Sequence, residues 1–216
     1  MAVPQRIVIA SSNAGKLREL AALLQDWPVE LVNQSDLGVG DVDESGVSFV
    51  ENALLKARHA CSATGLPAIA DDSGIEVDIL DGAPGIRSAR FAGPGAGDRQ
   101  NLQLLLERVR VTGAMNPSAR FQCLMVFMAQ AGDATPIIAQ GTWRGHLVAE
   151  PRGNHGFGYD PIFFVPTHGC TSAELDPAVK NQISHRALAM AGLLQGLRAR
   201  FPAASDIPRR RAGTGR

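Results

Sequence analysis

Apolar residues along the chain follow two rhythms, one of period two or continuous and one of helical period, and the switches between them outline the fold. Ile7, Val8 and Ile9 form a compact apolar run that predicts a buried strand over residues 6–11. The chain then turns through Ser12, Asn13, Ala14 and Gly15, after which Leu17, Leu20, Ala21 and Leu24 share one face of a helix. A second strand is predicted over 29–32, followed by a polar loop over 34–46 rich in Gly and Asp. Ser48 and Glu51 have capping-box spacing and open a helix that turns Ala53, Leu54, Ala57 and Cys61 inward and stops near Gly65. Residues 67–70 read as a strand running straight into Asp71-Asp72-Ser73-Gly74, with 75–80 continuing extended.

Repeated Gly and Pro make 82–97 a loop, and Leu102, Leu105, Leu106 and Val109 mark the next amphipathic helix. The long apolar stretches near 119–130 and 136–148, joined through Gly132 and Asp133, predict an antiparallel pair. A Gly-dense loop follows over 151–161. Asp176-Pro177 then places a cap and a first-turn proline at a helix start. Ala187, Met190, Ala191, Leu194 and Leu197 predict the apolar face of a last helix. The stretch 203–216, with Arg209, Arg210 and Arg211, has no apolar period and reads as disordered. Early alternation of strands and helices with a late hairpin gives an α/β fold with a mixed sheet, one domain over 1–203 and a tail over 204–216.

Composition narrows the function. The chain has 216 residues, 45% hydrophobic and only 5% aromatic, so aliphatic side chains fill the core. Lys plus Arg and Asp plus Glu both total 21, a formal net charge of +0, which argues against nucleic acid held by a whole-surface field. Any anion site is therefore local. Three scattered cysteines, Cys61, Cys123 and Cys170, make no CxxC pair and suit a reducing, cytoplasmic setting. No apolar run reaches the roughly 18 residues of a membrane span, and the N-terminus lacks a signal-peptide core, so no membrane partner is expected.

Four stretches carry chemistry. Ser11-Ser12-Asn13-Ala14-Gly15-Lys16 ends a strand and opens a helix with a lysine, where unpaired N–H groups and a mobile cation suit a triphosphate. It is not a Walker A loop, because Ala10 replaces the first Gly and Leu17 the Ser or Thr. The same residues also suit an ordinary turn with a surface lysine. Asp43, Glu44, Asp71 and Asp72 offer hard oxygen ligands for Mg²⁺, which needs few protein ligands when phosphate supplies others. Neighbours on a strand face opposite ways, so only one of Asp71 and Asp72 is expected at the site, at a strand's carboxyl end. The alternative is turn aspartates satisfying local N–H groups. Phe157, between Gly156 and Gly158 and followed by Tyr159 and Asp160, offers a ring for stacking a base, or a ring tucked inward. Lys180, Ser184, His185 and Arg186 gather basic groups for phosphate or base acceptors, or form a solvated helix face. No zinc spacing and no GxSxG elbow occurs.

Taken together and in this order, SSNAGK at 11–16, DESGVSFVENALLKA at 43–57, ADDSG at 70–74, APGIRSARFAG at 83–93, GFGYDPIF at 156–163 and KNQISHRALA at 180–189 resemble the Ham1/RdgB family of inosine/xanthosine triphosphate pyrophosphatases. The likeness spans about residues 5–201. It implies an elongated mixed sheet flanked by helices, two lobes around a central cleft, and a homodimer. It further implies that Ser11, Ser12, Asn13, Ala14, Gly15 and Lys16 bind triphosphate, that Glu44 and Asp72 hold Mg²⁺, and that Asp72 is the catalytic base. Ser73 would touch substrate, Phe157, Gly158, Tyr159 and Asp160 would frame the base, and Lys180, His185 and Arg186 would read its edge. The substrates implied are ITP, dITP and XTP, cleaved to monophosphate and pyrophosphate. The family often has Thr-Gly-Asn or Thr-Ser-Asn where this chain has Ser11-Ser12-Asn13, and the tail has no counterpart. Two rivals remain: a Maf-like pyrophosphatase, against which the GFGYDP loop and Ser184-His185-Arg186 argue, and a non-hydrolytic nucleotide- or RNA-binding regulator. Carboxylates at 44 and 72 beside a phosphate would gain a pure anion binder nothing.

Overall fold

The computed structural model describes residues 4–25, 27 and 29–202, so the predicted tail lies outside the described residues. Strands β1 (Arg6–Ala10), β2 (Glu30–Asn33), β3 (Ala68–Val77), β4 (Ser118–Met128), β5 (Ile137–Leu147), β6 (Phe163–Val165) and β7 (Cys170–Thr171) form one sheet in the order β2-β1-β3-β4-β5-β6-β7. Pairings of β1 with β2 and β3 are parallel and the others antiparallel, so the expected mixed α/β sheet is present. Helices α1 (Ala14–Leu23), α2 (Phe49–Thr64), α3 (Asp98–Thr112), α4 (Pro177–Ile183) and α5 (His185–Arg200) complete the framework.

Local signals explain the helix ends. Asn13, Ser48, Asp176 and Ser184 each accept first-turn N–H groups through their side chains, and Gly65 ends α2 in the left-handed conformation. Two faces differ from the reading of the sequence. In α1 Ala21 is exposed while Leu20 and Leu24 are buried, and in α5 Ala191 is exposed while Ala189 and Leu193 are buried. Each shift turns the buried stripe by a fraction of a helical turn, toward the larger or better-placed apolar group.

Alternation along β3 sorts the core. Ala68 and Ala70 face Ala53, Ala57 and Cys61 of α2, whereas Ile69 joins Leu20, Met125, Phe127, Met190 and Leu193 under α1 and α5. Farther along the same long strands, Ile75, Val77, Phe121 and Trp143 pack with Leu105 of α3 and with Ile162 and Phe163. The two clusters meet at residues 71–73, where polar side chains replace apolar ones.

The strand β3 is longer than expected, so Asp71 and Asp72 lie in its middle and not at its carboxyl end. What ends there is its neighbour: β1 pairs Ala10 with Ala70 and goes no farther. From Gly74 onward the vacated edge is taken over by the 3₁₀ turn Gly85–Arg90, whose Ser88 Oγ accepts from Ile75 N at 2.9 Å. A Cβ at Gly74 would collide with Gly85 O and Ser88 Oγ, which explains the glycine. Asp71, Asp72 and Ser73 are left on an open edge between these two covers.

Candidate active site

At that open edge lies a cavity of about 530 Å³. Ser11, Ser12, Asn13 and Lys16 border it, as do Glu44, Lys56, Asp72 and Ser73, and Phe157, Gly158, Tyr159, Asp160, Lys180, His185 and Arg186. An edge without a partner strand lets residues of both strand faces border one cleft, which the alternation rule alone would forbid.

The turn 11–16 differs from the expectation of a ring of free amides. Asn13 Oδ1 already accepts Gly15 N at 2.9 Å and Lys16 N at 3.0 Å, and Ser11 Oγ accepts Asn13 N at 3.2 Å. Ala14 and Gly15 do not border the cavity. With Oδ1 spent on the cap, the Asn13 amide turns its N–H₂ donors outward. Ser12 donates its proton to Asp41 Oδ2 at 2.6 Å, and Asp41 is also held by Gln34 Nε2 at 2.7 Å. Ser12 therefore ties the turn to the 34–46 loop, and Ser11 keeps a hydroxyl proton for an anion. Gly15 makes room for the aromatic ring, since a Cβ there would lie 2.6 Å from Phe157 Cδ1. The glycine lets the ring seat against the helix start.

In the cleft two carboxylates share one cation. Lys56 Nζ, one helical turn after Asn52 on α2, sits 2.9 Å from Glu44 Oε1 and 2.8 Å from Asp72 Oδ1. Asn52 Nδ2 reaches Asp72 Oδ2 at 3.3 Å, and Arg90 Nη1 reaches Glu44 Oε2 at 2.8 Å. Burial raises the Asp72 pKa above its ordinary value despite Lys56 and Lys16. Burial pushes Glu44 the same way, but Lys56 and Arg90 outweigh it and hold Glu44 below the usual range. Two neighbouring acids thus differ in proton affinity, the arrangement that separates a base from a permanent anion.

Behind the cleft runs a buried chain of alternating charge. Lys16 Nζ meets Asp71 Oδ1 at 2.5 Å, and Asp71 Oδ2 meets Arg186 Nε at 3.0 Å. Arg186 Nη1 pairs with Glu19, whose other oxygen lies 2.9 Å from Lys180 Nζ, and Lys180 ends on Asp160 Oδ2 at 2.5 Å. Of the paired aspartates only Asp72 borders the cleft, although Ser73, on the same strand face as Asp71, borders it too. Asp71 sits behind it, anchoring the cations. Burial would raise the Asp71 pKa, but Arg186 and Lys16 drive it far below the usual aspartate value.

Elsewhere in the cleft the Phe157 ring has Lys180 Nζ at 5.3 Å and Arg186 Cζ at 5.8 Å from its centroid. His185 stacks on Phe121 at 4.7 Å and 10°. Burial, with Arg186 and Lys180 nearby, pushes its pKa far below the ordinary histidine value, so the ring is neutral. Its Nδ1 is buried with no hydrogen-bond partner among the described residues. Tyr159 OH donates to Ser88 O at 2.8 Å, and Asp160 accepts Phe157 N at 2.9 Å and Ser172 Oγ at 2.8 Å. Both brace the loop and border the cleft, while Gly158 N is held by Asp98 Oδ2 at 2.8 Å. Arg186 Nη2 donates to Ser73 Oγ at 2.9 Å, joining β3 to this part of the cleft.

The structure brings most of the residues singled out from the sequence into one cleft. It adds Lys56, Asn52, Glu19, Arg90 and Asp98, to which the sequence gave no role, and it sets Asp71, one of the candidate metal ligands, among the cations Lys16 and Arg186. Asn52 and Lys56 had a usable signal, polar residues four apart on an otherwise buried helix face. Glu19 follows Lys16 at the same kind of spacing. Asp98 had none, since its partner is 60 residues away.

The sequence pattern of the Ham1 family matches residues 7–196. A dITP/XTP pyrophosphatase of Shigella flexneri is 54% identical over 194 residues, covering 90% of this chain and 98% of that protein. A protein of the same name from Escherichia coli (strain K12) is 53% identical over 194 residues, with the same 90% and 98% covered. The solved HAM1 protein of Coxiella burnetii shares the fold with a TM-score of 0.83 at 46% identity, covering 92% of this chain and 100% of that one. The chain belongs to the Ham1 family.

Proposed function

We propose that this chain hydrolyses ITP, dITP and XTP to the nucleoside monophosphate and pyrophosphate, removing deaminated purines from the nucleotide pool. The observation that carries the reading is one cleft with two chemically distinct parts. A carboxylate pair and phosphate-type donors make up one part; an aromatic ring with cationic and imidazole donors makes up another. Relatives more than half identical bear the name dITP/XTP pyrophosphatase.

In this reading Ser11, Asn13 and Lys16 bind the triphosphate. Water attacks the α-phosphorus, Asp72 accepts the water's proton, and the bond to the pyrophosphate oxygen breaks. Mg²⁺ fits the donor set, because Glu44 and Asp72 already converge on a cation, the ammonium of Lys56. Two carboxylates with waters and phosphate oxygens meet the needs of Mg²⁺. When bound by Glu44 and Asp72, Mg²⁺ would neutralise charge developing on the phosphate oxygens. Lys16 adds charge neutralisation from the turn, and its tie to Asp71 keeps its rotamer fixed.

Base reading follows from donor counting. Lys180 spends two of its three N–H donors on Glu19 and Asp160, and Arg186 spends at least three of five on Asp71, Glu19 and Ser73. The remaining donors suit O6 of hypoxanthine or xanthine, where adenine offers an amino donor. A mismatch leaves buried donors unpaired, at about 1–3 kcal/mol each. Phe157 supplies the stacking face. The Cys61 and Cys123 thiols are free and buried, which supports a reducing, cytoplasmic setting. The family resemblance supports a homodimer, which sedimentation checks.

The test is product analysis over ITP, dITP, XTP, ATP and GTP, with and without Mg²⁺. Pyrophosphate release from the first three, dependent on Mg²⁺, is expected. Release of orthophosphate, or ATP turnover equal to ITP, would overturn the assignment.

A further inference from the structure

Phe157 stands in a backbone built to move. Gly156 and Gly158 flank it at φ values of 76° and 59°, a left-handed region open to glycine, and glycine-rich loops have the most conformational freedom to lose. The base-stacking role proposed for the ring needs that freedom removed. Two consecutive amides are gripped by carboxylates from two different directions. Phe157 N goes to Asp160 Oδ2 at 2.9 Å, inside the loop, where Asp160 is itself locked by Ser172 and Lys180. Gly158 N goes to Asp98 Oδ2 at 2.8 Å, outside the loop, on the first turn of α3.

We infer that Asp98 is a positioning residue for substrate binding: by holding the Gly158 amide it fixes the Phe157 ring between Gly15 and the two cations. The inference rests on the base-stacking role proposed for Phe157. Asp98 stands on a rigid support. It is the first residue of its helix, after the Gly97 cap, and Leu102 and Leu105 of α3 anchor that helix in the same core cluster as Tyr159 and Ile162. Tyr159, one residue past Gly158, is tied down through its hydroxyl to Ser88 O. The loop is therefore fastened at the ring and after it, and Asp98 supplies a hydrogen bond from α3. Asp98 is exposed and borders the cleft, so water screens its charge, and the hydrogen bond to Gly158 carries its effect.

The consequence is specific. Losing the clamp frees the ring in the unbound protein, so binding must reorder it, and the loss falls on KM more than on kcat. Asp98→Ala is expected to raise KM for ITP by about tenfold, the weight of one hydrogen bond to a charged group, with kcat within about twofold. Asp98→Asn keeps an acceptor oxygen for Gly158 N and is expected to restore KM to within about threefold of wild type. Phe157→Ala is the control for the underlying reading, and the double variant Asp98→Ala/Phe157→Ala closes a cycle. With the ring gone, the clamp has nothing left to position, so removing Asp98 adds no further KM increase. An unchanged KM in Phe157→Ala would sink the stacking role itself. A raised KM in Phe157→Ala with an unchanged KM in Asp98→Ala would sink the clamp alone. Equal impairment of Asp98→Asn and Asp98→Ala, or full additivity in the double variant, would also overturn it, showing that Asp98 acts through charge or through the general fold.

Discussion

Glu19→Gln removes one charge from the buried chain and nothing else, because the amide has the carboxylate's shape. In the wild type Glu19 neutralises two cations, Lys180 at 2.9 Å and Arg186, and its side chain is only 13% exposed. Breaking a buried ion pair from one side costs about 3–5 kcal/mol when the partner is left uncompensated. Here Arg186 keeps Asp71 and Lys180 keeps Asp160, so the cost belongs near the lower bound, about 3 kcal/mol. For a domain of this size that is a melting-temperature drop of about 6–12 °C.

Titration supplies a second arm for the same variant. Burial would raise the Glu19 pKa, but Arg186 and Lys180 outweigh it and hold it below the ordinary glutamate value. A carboxylate depressed in the folded state stabilises fully above its unfolded pKa, about 4.3, and loses that contribution as pH falls through the folded value. The stability gap between wild type and Glu19→Gln is therefore expected to be constant near neutrality and to close on acidification below about pH 4.3. Urea melts of both proteins across pH measure it. A gap under about 1 kcal/mol at pH 7, or one that persists unchanged at pH 3, would refute the view that Glu19 works as an ionised bridge.

Further outcomes follow from the cleft. Asp72→Asn is expected to leave the fold intact and lower kcat by about 10²–10⁴-fold, the usual worth of a general base, and near wild-type kcat would remove Asp72 from proton transfer. The acid limb of the wild-type kcat/KM profile is expected above the pH of an ordinary aspartate, because burial raises the Asp72 pKa. Lys56→Gln removes the cation 2.8 Å from Asp72, so that limb should move alkaline by about one pH unit or more, and an unmoved limb would show that Lys56 does not tune it. Gly15→Ala puts a methyl 2.6 Å from the Phe157 ring and is expected to raise KM for ITP at least about fivefold; an unchanged KM would show that the ring can bind base from elsewhere. Deleting 204–216, which we propose lies outside the folded domain, should change neither melting temperature nor activity.

Much of the scaffold was legible because its signals are local. Asn13, Ser48 and Asp176 cap helices through contacts spanning three residues or fewer, and sequence displays such spacing directly. Asp71 and Asp72 were separable by alternation alone, although the strand's true length was not, since no turn signal marks the point where β1 stops beside it. Ser12 was expected at the phosphate; it borders the cleft, and the tie of its hydroxyl to Asp41, 29 residues away, was not legible. Glu19 received no role from the sequence, because its partners lie 161 and 167 residues downstream. Long-range polar pairings leave no periodicity, so they stay invisible until the fold closes.

The register of β3 against β4 is itself a chemical setting. Asp71 pairs across the sheet with Met125 and Asp72 with Leu124, and pleating sends the first toward Lys16 and Arg186 and the second toward Lys56. A slip of one residue would invert every face of the strand. Because two aspartates stand side by side, a slip that carries Asp71 into the place of Asp72 would still show an acid to α2, but it would be the wrong one. Ala70 would then stand where Arg186 needs a counter-charge. A one-residue insertion upstream in β3 would thus swap the reactive acid for the anchoring one while leaving the Asp-Asp motif intact, so a survey by motif alone would score that protein as competent.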